Sequence, residues 1–202
     1  MSVNESEPSI ALGDARLQFF LEHQELIRDW AALAAVAQGA ADEQLRELRG
    51  DLMNDNRVVE LGIRVAPGMK GDVVTGSVLH RPAWCVDAEG VPDVGITLGW
   101  DSKVDPAGVW PKTSVPYIGV LCSRQTNPGR AIEARLRATT ASHLNDKPKY
   151  QKGSVHVVYR YLNPDKDWWQ DIPKWRQGLV DELLAAWTRW AELVDDAVAG
   201  ER

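Results

Sequence analysis

The feature that most constrains the fold is a long amphipathic pattern over Pro173–Val198, at the carboxyl end of the chain. Five of the nine tryptophans fall between Trp168 and Trp190. Large apolar residues recur here at steps of three and four, which places them on one face of a helix. They are Ile172, Trp175, Leu179, Leu183, Trp187, Trp190, Val194 and Val198. Such a helix extends about 39 Å, so it must lie along a sheet or another helix to bury its indoles.

The start of this helix is marked by Pro173, whose missing N–H is harmless in a first helical turn. Asp171 or Gln170 is the expected capping residue. Trp175, Trp187 and Trp190 lie on the apolar stripe and are interpreted as core. Trp168 and Trp169 precede the helix, and two adjacent indoles cannot both face inward, so we expect one of them at the surface.

A second helical pattern begins at Asp14 and extends to about Met53. Gly39 interrupts it, which predicts a kink or a division into two helices at that point. Its apolar stripe comprises Leu26, Trp30, Leu33, Ala37, Ala41, Leu45, Leu48 and Leu52. Residues 1–13 are polar and broken by Pro8 and Gly13, so we predict a disordered amino-terminal segment followed by one domain over residues 14–200.

The middle of the chain alternates between β-type runs and turn residues. Four strands are predicted, at Arg57–Val65, Val73–Trp84, Val94–Trp100 and Tyr117–Cys122. A short helix, Arg130–Ala141, and a last strand, Ser154–Leu162, follow them. The prediction is an α+β fold, with a four- to five-stranded, mainly antiparallel sheet packed by long N-terminal and C-terminal helices. The element order is α-β-β-β-β-α-β-α.

Composition indicates an ordinary globular protein, with 44% hydrophobic and 26% charged residues. No apolar run approaches the roughly 20 residues that a membrane span needs. The amino terminus lacks the apolar core of an export signal. Cys85 and Cys122 are far apart and are interpreted as reduced thiols. We therefore expect a cytoplasmic protein with no membrane partner.

The net charge of −6 hides a strong asymmetry along the chain. Residues 1–55 hold 4 basic and 11 acidic side chains, whereas residues 124–160 hold 8 basic and 2 acidic ones. Lysine and arginine interleaved with aromatic residues suit phosphate contacts combined with base stacking. The candidate binding residues are Arg130, Arg135, Arg137, Lys147, Lys149, Tyr150, Lys152, Trp168 and Trp169.

Two interpretations of the basic segment remain open. It is a solvated surface, or one that docks against the acidic amino-terminal helix within the molecule or in a dimer. Alternatively, it binds nucleic acid or another polyanion. For the protein as a whole, the expected partner is a protein or nucleic acid. The functional hypothesis we favour is a non-catalytic binding or accessory protein, acting on nucleic acid or within a nucleic-acid-handling complex of defence or mobile elements. No cofactor is expected for that role.

A second hypothesis rests on Trp100-Asp101-Ser102-Lys103. Residues two apart on a strand point to the same face, so Asp101 is able to hold a divalent cation while Lys103 orients a water molecule. The order helix, three-strand meander, helix, strand resembles the core of the PD-(D/E)XK nuclease superfamily over about residues 40–162. The resemblance implies a Mg²⁺-dependent nuclease with Asp101 and Lys103 as catalytic residues.

This resemblance is incomplete in two respects. The second predicted strand, Val73–Trp84, contains no carboxylate, and Pro92-Asp93 begins the same strand that ends at Asp101. The alternative is that Asp101 and Lys103 form a solvated pair at the start of a proline-rich loop. The four histidines show no metal-ligand spacing, so no metal site is predicted from them. The use of alanine, arginine and tryptophan also resembles that of high-GC bacterial proteins, which indicates no activity.

Overall fold

Five β-strands form one antiparallel sheet in the order β1-β2-β3-β4-β5. The structure is a computed structural model that describes residues 14–70, 73–85, 92–101, 115–143, 156–162 and 170–201. The strands are β1 (Arg64–Lys70), β2 (Val73–His80), β3 (Val94–Asp101), β4 (Val115–Cys122) and β5 (His156–Tyr161). The helices are α1 (Ala15–Glu22), α2 (Gln24–Asn54), α3 (Asn56–Glu60), α4 (Asn127–His143) and α5 (Ile172–Ala199). The predicted α+β class and element order are confirmed.

The sheet has one apolar face, which we call the helix face. Ile96 and Leu98 on β3 pair with Val120 and Ile118 on β4, and all four side chains are buried. They alternate with Gly95, Thr97 and Gly99, which belong to the opposite face. Helices α2, α4 and α5 pack on the helix face, and their apolar stripes join these residues in one core.

Helix α5 packs against strands β3 and β4 of the sheet, as its tryptophan pattern predicts. The Asp171 carboxylate accepts a hydrogen bond of 3.1 Å from the Lys174 N–H and so caps its first turn. Trp187 and Trp190 are buried, and Trp187 stacks on Trp84 with ring centroids 5.0 Å apart. The core interpretation is confirmed for these two residues, whereas Trp175 is only partly buried against the core.

The predicted first strand, Arg57–Val65, is wrong in its first half. Residues Asn56–Glu60 form helix α3, and β1 begins only at Arg64. The Asp55 side chain caps the helix by accepting the Arg57 N–H at 2.9 Å, which outweighs the β-propensity of the two valines that follow. Gly62, with φ of 63°, then turns the chain into β1.

Two further boundaries differ from the prediction. The amino-terminal helical region divides at His23, between α1 and α2, rather than at Gly39. The second strand ends at His80, because Pro82 has no N–H to donate to the sheet and opens a 3-10 turn, Pro82–Trp84. The predicted disorder of residues 1–13 lies outside the described residues. Among the described helices, none is long and apolar enough to cross a membrane.

Candidate functional site

Helix α4 brings three of the predicted binding residues together. The Thr126 hydroxyl accepts the Gly129 N–H at 3.1 Å and caps the helix. Ile132 and Leu136 are buried in the core, which directs the arginines away from it. Those arginines are Arg130 and Arg135, which are exposed, and Arg137, which is half-buried.

The guanidinium groups of this helix are already engaged within the fold. Glu133 accepts hydrogen bonds from Arg124 and Arg137, each at 2.7 Å at its shortest. Arg135 forms an ion pair of 2.8 Å with Glu201 at the end of α5. Arg130 donates to the Arg124 carbonyl oxygen at 2.7 Å. Three of these arginines therefore pair with two carboxylates, and Arg130 binds a carbonyl oxygen. The surface stays positive but is more ordered than the sequence pattern indicates.

Glu133 is the centre of this network, and its side chain is 12% exposed. Hydrogen bonds from Arg124, and then from Arg137, lower the pKa of the Glu133 carboxyl from its ordinary value of 4.5 to about 2, against the opposing effect of burial. The charged form is therefore the one that the folded protein stabilises. The carboxylate holds both guanidinium groups in fixed positions beside α4.

Replacing Glu133 with glutamine is expected to lower the free energy of unfolding by about 1–3 kcal/mol at pH 7, since charge-assisted hydrogen bonds are lost. The folded pKa lies below the unfolded one, so this stabilisation is present above about pH 4.5 and is lost as the pH falls towards 2. Urea unfolding of both proteins at several pH values measures it. A difference that grows on acidification would contradict this assignment.

A cluster of four aromatic rings lies on β4 and β5, the two strands at one edge of the sheet. Tyr117, His156, Tyr159 and Tyr161 form a closed set, which we call the tyrosine cluster. Ring centroids are 4.9 Å apart for Tyr117 and His156, and 5.5 Å for Tyr159 and Tyr161. The interplanar angles of these pairs are 71° and 88°, so the rings meet edge to face.

The tyrosine cluster belongs to the face of the sheet opposite the helix face. Arg160 forms an ion pair with Glu182 of α5, so it points towards the helices. Its neighbours Tyr159 and Tyr161 therefore point to the other side of the sheet. Tyr161 is 37% exposed, whereas Thr97 in the centre of that face is buried. The β5 edge of this face is therefore accessible at Tyr161.

Two glycines make room for the cluster. A Cβ atom at Gly99 would lie 2.5 Å from the Tyr117 hydroxyl oxygen. One at Gly119 would lie 3.0 Å from the Cβ of Tyr159 and 3.3 Å from Cδ2 of His156. The rings therefore rest directly on the backbone of β3 and β4, which fixes their positions.

The tyrosine cluster adjoins the arginines of α4. The Arg137 guanidinium donates to the His156 carbonyl oxygen at 3.2 Å. The cluster is a part of the site that sequence reasoning missed, because the sequence pattern drew attention to Tyr150 instead. The available signal was the spacing of Tyr159 and Tyr161, two residues apart on a predicted strand.

The other predicted binding residues cannot be placed. Lys147, Lys149, Tyr150, Lys152, Trp168 and Trp169 lie outside the described residues. They remain predictions.

The predicted catalytic pair is only partly placed. Asp101 ends β3, where its backbone pairs with Val115 of β4. The position of its side chain and the whole of Lys103 lie outside what the structure describes. Strand β2 carries no carboxylate, as the sequence states. Within the described ranges, no three His, Cys, Asp or Glu side chains are grouped so as to hold a metal ion.

The two cysteines are free thiols in different surroundings. Burial raises the pKa of the Cys122 thiol to about 12, which keeps it protonated and unreactive. Cys85 is half-buried, and its sulfur lies 3.3 Å from Nδ1 of His80. Burial lowers the pKa of His80, so this imidazole is neutral near pH 7.

A concave region lies between the end of α2 and the start of α5. It is an open cleft of about 600 Å³, lined by Asp51, Asp55, Arg57 and Arg176 among others. Arg57 binds Asp55 at 2.7 Å and Asp181 at 2.8 Å, and Arg176 binds Asp51 at 2.9 Å. The ion pairs that line this cleft connect α2 and α3 with α5.

The fold and these surfaces define an α+β protein whose antiparallel sheet is covered by helices on one face and carries an aromatic cluster at one edge of the other. Comparisons with protein-family models, curated proteins and solved structures find no match to this chain. A function must therefore be argued from the chemistry of its own residues.

Proposed function

We propose that this is a non-catalytic protein that binds single-stranded nucleic acid along the β5 edge of its sheet, with the arginines of α4 holding the phosphates. The observation that carries the proposal is the adjacency of the tyrosine cluster to a positively charged helix. Arg137 contacts the backbone of His156 at one end of β5, and Tyr161 is exposed at the other.

The aromatic rings supply a stacking platform. Every base has a flat π-face, and stacking on an aromatic side chain contributes about 1–3 kcal/mol per base without sequence preference. Tyr161, as the most exposed ring of the cluster, is the first contact we assign to a base. Bases in a duplex are already stacked on each other, so this mode selects single strands. The net charge of −6 also argues against a dedicated duplex-binding protein.

The arginines supply the phosphate contacts. A guanidinium group has five N–H donors, and Glu133 holds those of Arg124 and Arg137 in place. Arg130 is exposed beside them and is fixed by the Arg124 carbonyl oxygen at 2.7 Å. Ordered guanidinium groups lose less side-chain entropy on binding than mobile ones. The internal hydrogen bonds therefore favour phosphate binding.

Replacing Tyr161 with alanine is expected to weaken the binding of a fluorescently labelled oligothymidine about tenfold, because one stacking contact is lost. Fluorescence anisotropy titration measures the dissociation constant. The matched control is Tyr161→Phe, which keeps the ring and removes only the hydroxyl, and should bind within about twofold of wild type. Equal affinity of the alanine variant and wild type would refute the stacking role.

The salt dependence of the same titration tests the phosphate contacts. Arg130→Gln should reduce the slope of log affinity against log salt by about 0.7, the value expected for one phosphate contact on a single strand. Charge reversal at both Arg135 and Lys149 should weaken retention on a polyanion column. If neither the salt-dependence slope nor the column retention changes in these variants, the arginines do not contact the phosphates.

The cellular setting that fits this proposal is the reducing cytoplasm. Both cysteines are free thiols rather than a disulfide, which suits a protein that encounters nucleic acid there. A role within a larger nucleic-acid-handling complex remains part of the proposal. No observation on the described residues favours the nuclease hypothesis, because the side chains of Asp101 and Lys103 lie outside them.

A further inference from the structure

The amino-terminal arm, Ala15–Trp30, exposes an unusual amount of apolar surface. This arm comprises α1 and the first turns of α2, and no residue from 14 to 32 is buried. Its five large exposed apolar side chains are Phe19 (57%), Phe20 (49%), Leu21 (50%), Leu26 (46%) and Trp30 (59%). Single exposed apolar residues are normal, but five large ones within twelve residues of the chain are a feature of interaction surfaces.

The carboxyl-terminal end of α2 is buried in the core and anchored to α5, whereas the arm is not. Leu48 and Leu52, on the same helix, are fully buried in the core. Arg176 of α5 anchors that end through Gln44 at 3.0 Å and Asp51 at 2.9 Å. About 30 Å of helix separates Gln24 from Gln44. The described part of the arm is therefore remote from the contacts that hold α2 to the domain.

We propose that the arm is a dimerisation surface, and that it is covered by the arm of a second copy of this chain. Aromatic side chains bury roughly 150–250 Å² each. At the exposures given above, covering all five side chains would bury up to about 500 Å² per copy, or about 1,000 Å² when two arms pair. That apolar area alone approaches the roughly 1,200 Å² at which specific interfaces begin.

The acidic side chains of the arm determine how the stability of this dimer depends on salt concentration. Glu22, Glu25 and Asp29 are exposed on the arm, and none forms an ion pair with another described residue. Pairing two arms brings these carboxylates towards one another, so screening by salt should tighten the dimer. Nucleic-acid binding weakens with salt, so the two proposals have opposite salt dependences and fail independently.

The same carboxylates disfavour a lipid occupant. Helices that lie on anionic membranes carry lysine and arginine on their polar face. The arm instead carries the three acidic residues named above, and its basic residues are only Arg16 and Arg28. Arg16 is already paired with Asp14 at 2.6 Å.

Sedimentation velocity of the full chain over a range of concentrations tests the dimer. The sedimenting mass of wild type is expected to rise reversibly with concentration, from that of a monomer to twice that value. In high salt this transition should occur at a lower protein concentration. Phe20→Glu and Trp30→Glu should remain monomeric throughout, because a charge would be buried at the interface. The matched control is Val59→Glu on α3, at a residue that is 69% exposed and away from the arm, which should dimerise like wild type.

Three results would overturn this proposal. Wild type could stay monomeric at every concentration and salt level, or Val59→Glu could dissociate as fully as Trp30→Glu. Alternatively, monomeric wild type could bind phosphatidylserine vesicles through Trp30, which would assign the arm to a lipid surface. Circular dichroism and a thermal transition for each variant confirm that the fold is retained.

Discussion

Replacing Trp187 with alanine is expected to lower the free energy of unfolding by about 3–5 kcal/mol, the range for truncation of a fully packed aromatic side chain. Trp187 is only 3% exposed and stacks on Trp84, and the Arg81 guanidinium lies 5.6 Å from its ring centroid. Truncation therefore leaves a cavity where α5 meets the 3-10 turn. Urea unfolding followed by circular dichroism measures the change.

The control for this prediction is Leu61→Ala, which truncates a side chain that is 50% exposed after α3. Surface truncations of this kind change stability by about 0.5 kcal/mol or less. Comparable losses in the two variants would mean that α5 does not anchor the core. A large loss at Trp187 alone supports the architecture on which the position of the β5 edge depends.

Two glycine-to-alanine substitutions are expected to change stability in opposite directions. A Cβ atom at Gly76 on β2 would lie 2.8 Å from the Gly99 Cα and closer still to the Leu98 carbonyl oxygen. Because these are backbone atoms, strands β2 and β3 must separate, which costs about 1–3 kcal/mol. At Gly178, within α5, a Cβ atom meets nothing within 4 Å. Alanine there should stabilise the protein by about 0.5–1 kcal/mol.

Thermal and urea unfolding measure the stability of the two variants, in which the same substitution, glycine to alanine, is made at both positions. Gly178→Ala should raise the midpoint and Gly76→Ala should lower it. A stabilising alanine at Gly76 would mean that β2 and β3 do not approach as closely as their pairing of Gly76 with Gly99 requires. The position of the Tyr117 ring over Gly99 would then be in doubt as well.

The long helices were predictable because their periodicity is strong and their ends carry clear signals. Asp171 and Pro173 mark the start of α5, and the stripe from Leu179 to Val198 is buried as its spacing predicts. The alternation on β3 also predicts its apolar face correctly. These features depend on residues close together in the chain, where pattern reasoning is most informative.

The remaining differences arise from contacts that the linear sequence does not reveal. Val58 and Val59 favour a strand, but the capping hydrogen bond from Arg57 to Asp55 produces a helix there. The pairing of Arg135 with Glu201 joins residues far apart in sequence, so it could not be predicted from spacing. By contrast, Glu133 and Arg137 are four apart on a helix, and this pair was within reach of the sequence.

The tyrosine cluster depends on long-range register in the same way. Tyr117 lies opposite Tyr161 because β4 pairs with β5, although helix α4 separates these strands in the sequence. The register of this pairing shifts between Val120 and Leu121. A one-residue slip would move Tyr159 and Tyr161 to the helix face. The sequence therefore supplies the aromatic residues, but only the pairing of the two strands brings them together beside α4.

The most direct test of the proposed function is photochemical cross-linking of the full chain to a single-stranded oligonucleotide that contains 5-bromouracil. Tryptic peptides with an attached nucleotide are then mapped by mass spectrometry. Tyr159 and Tyr161 fall on separate peptides, because Arg160 lies between them. We predict that the main adducts form at Tyr161 and Tyr159, and that excess unlabelled single strand competes them away. Adducts confined to other parts of the chain would contradict the proposal.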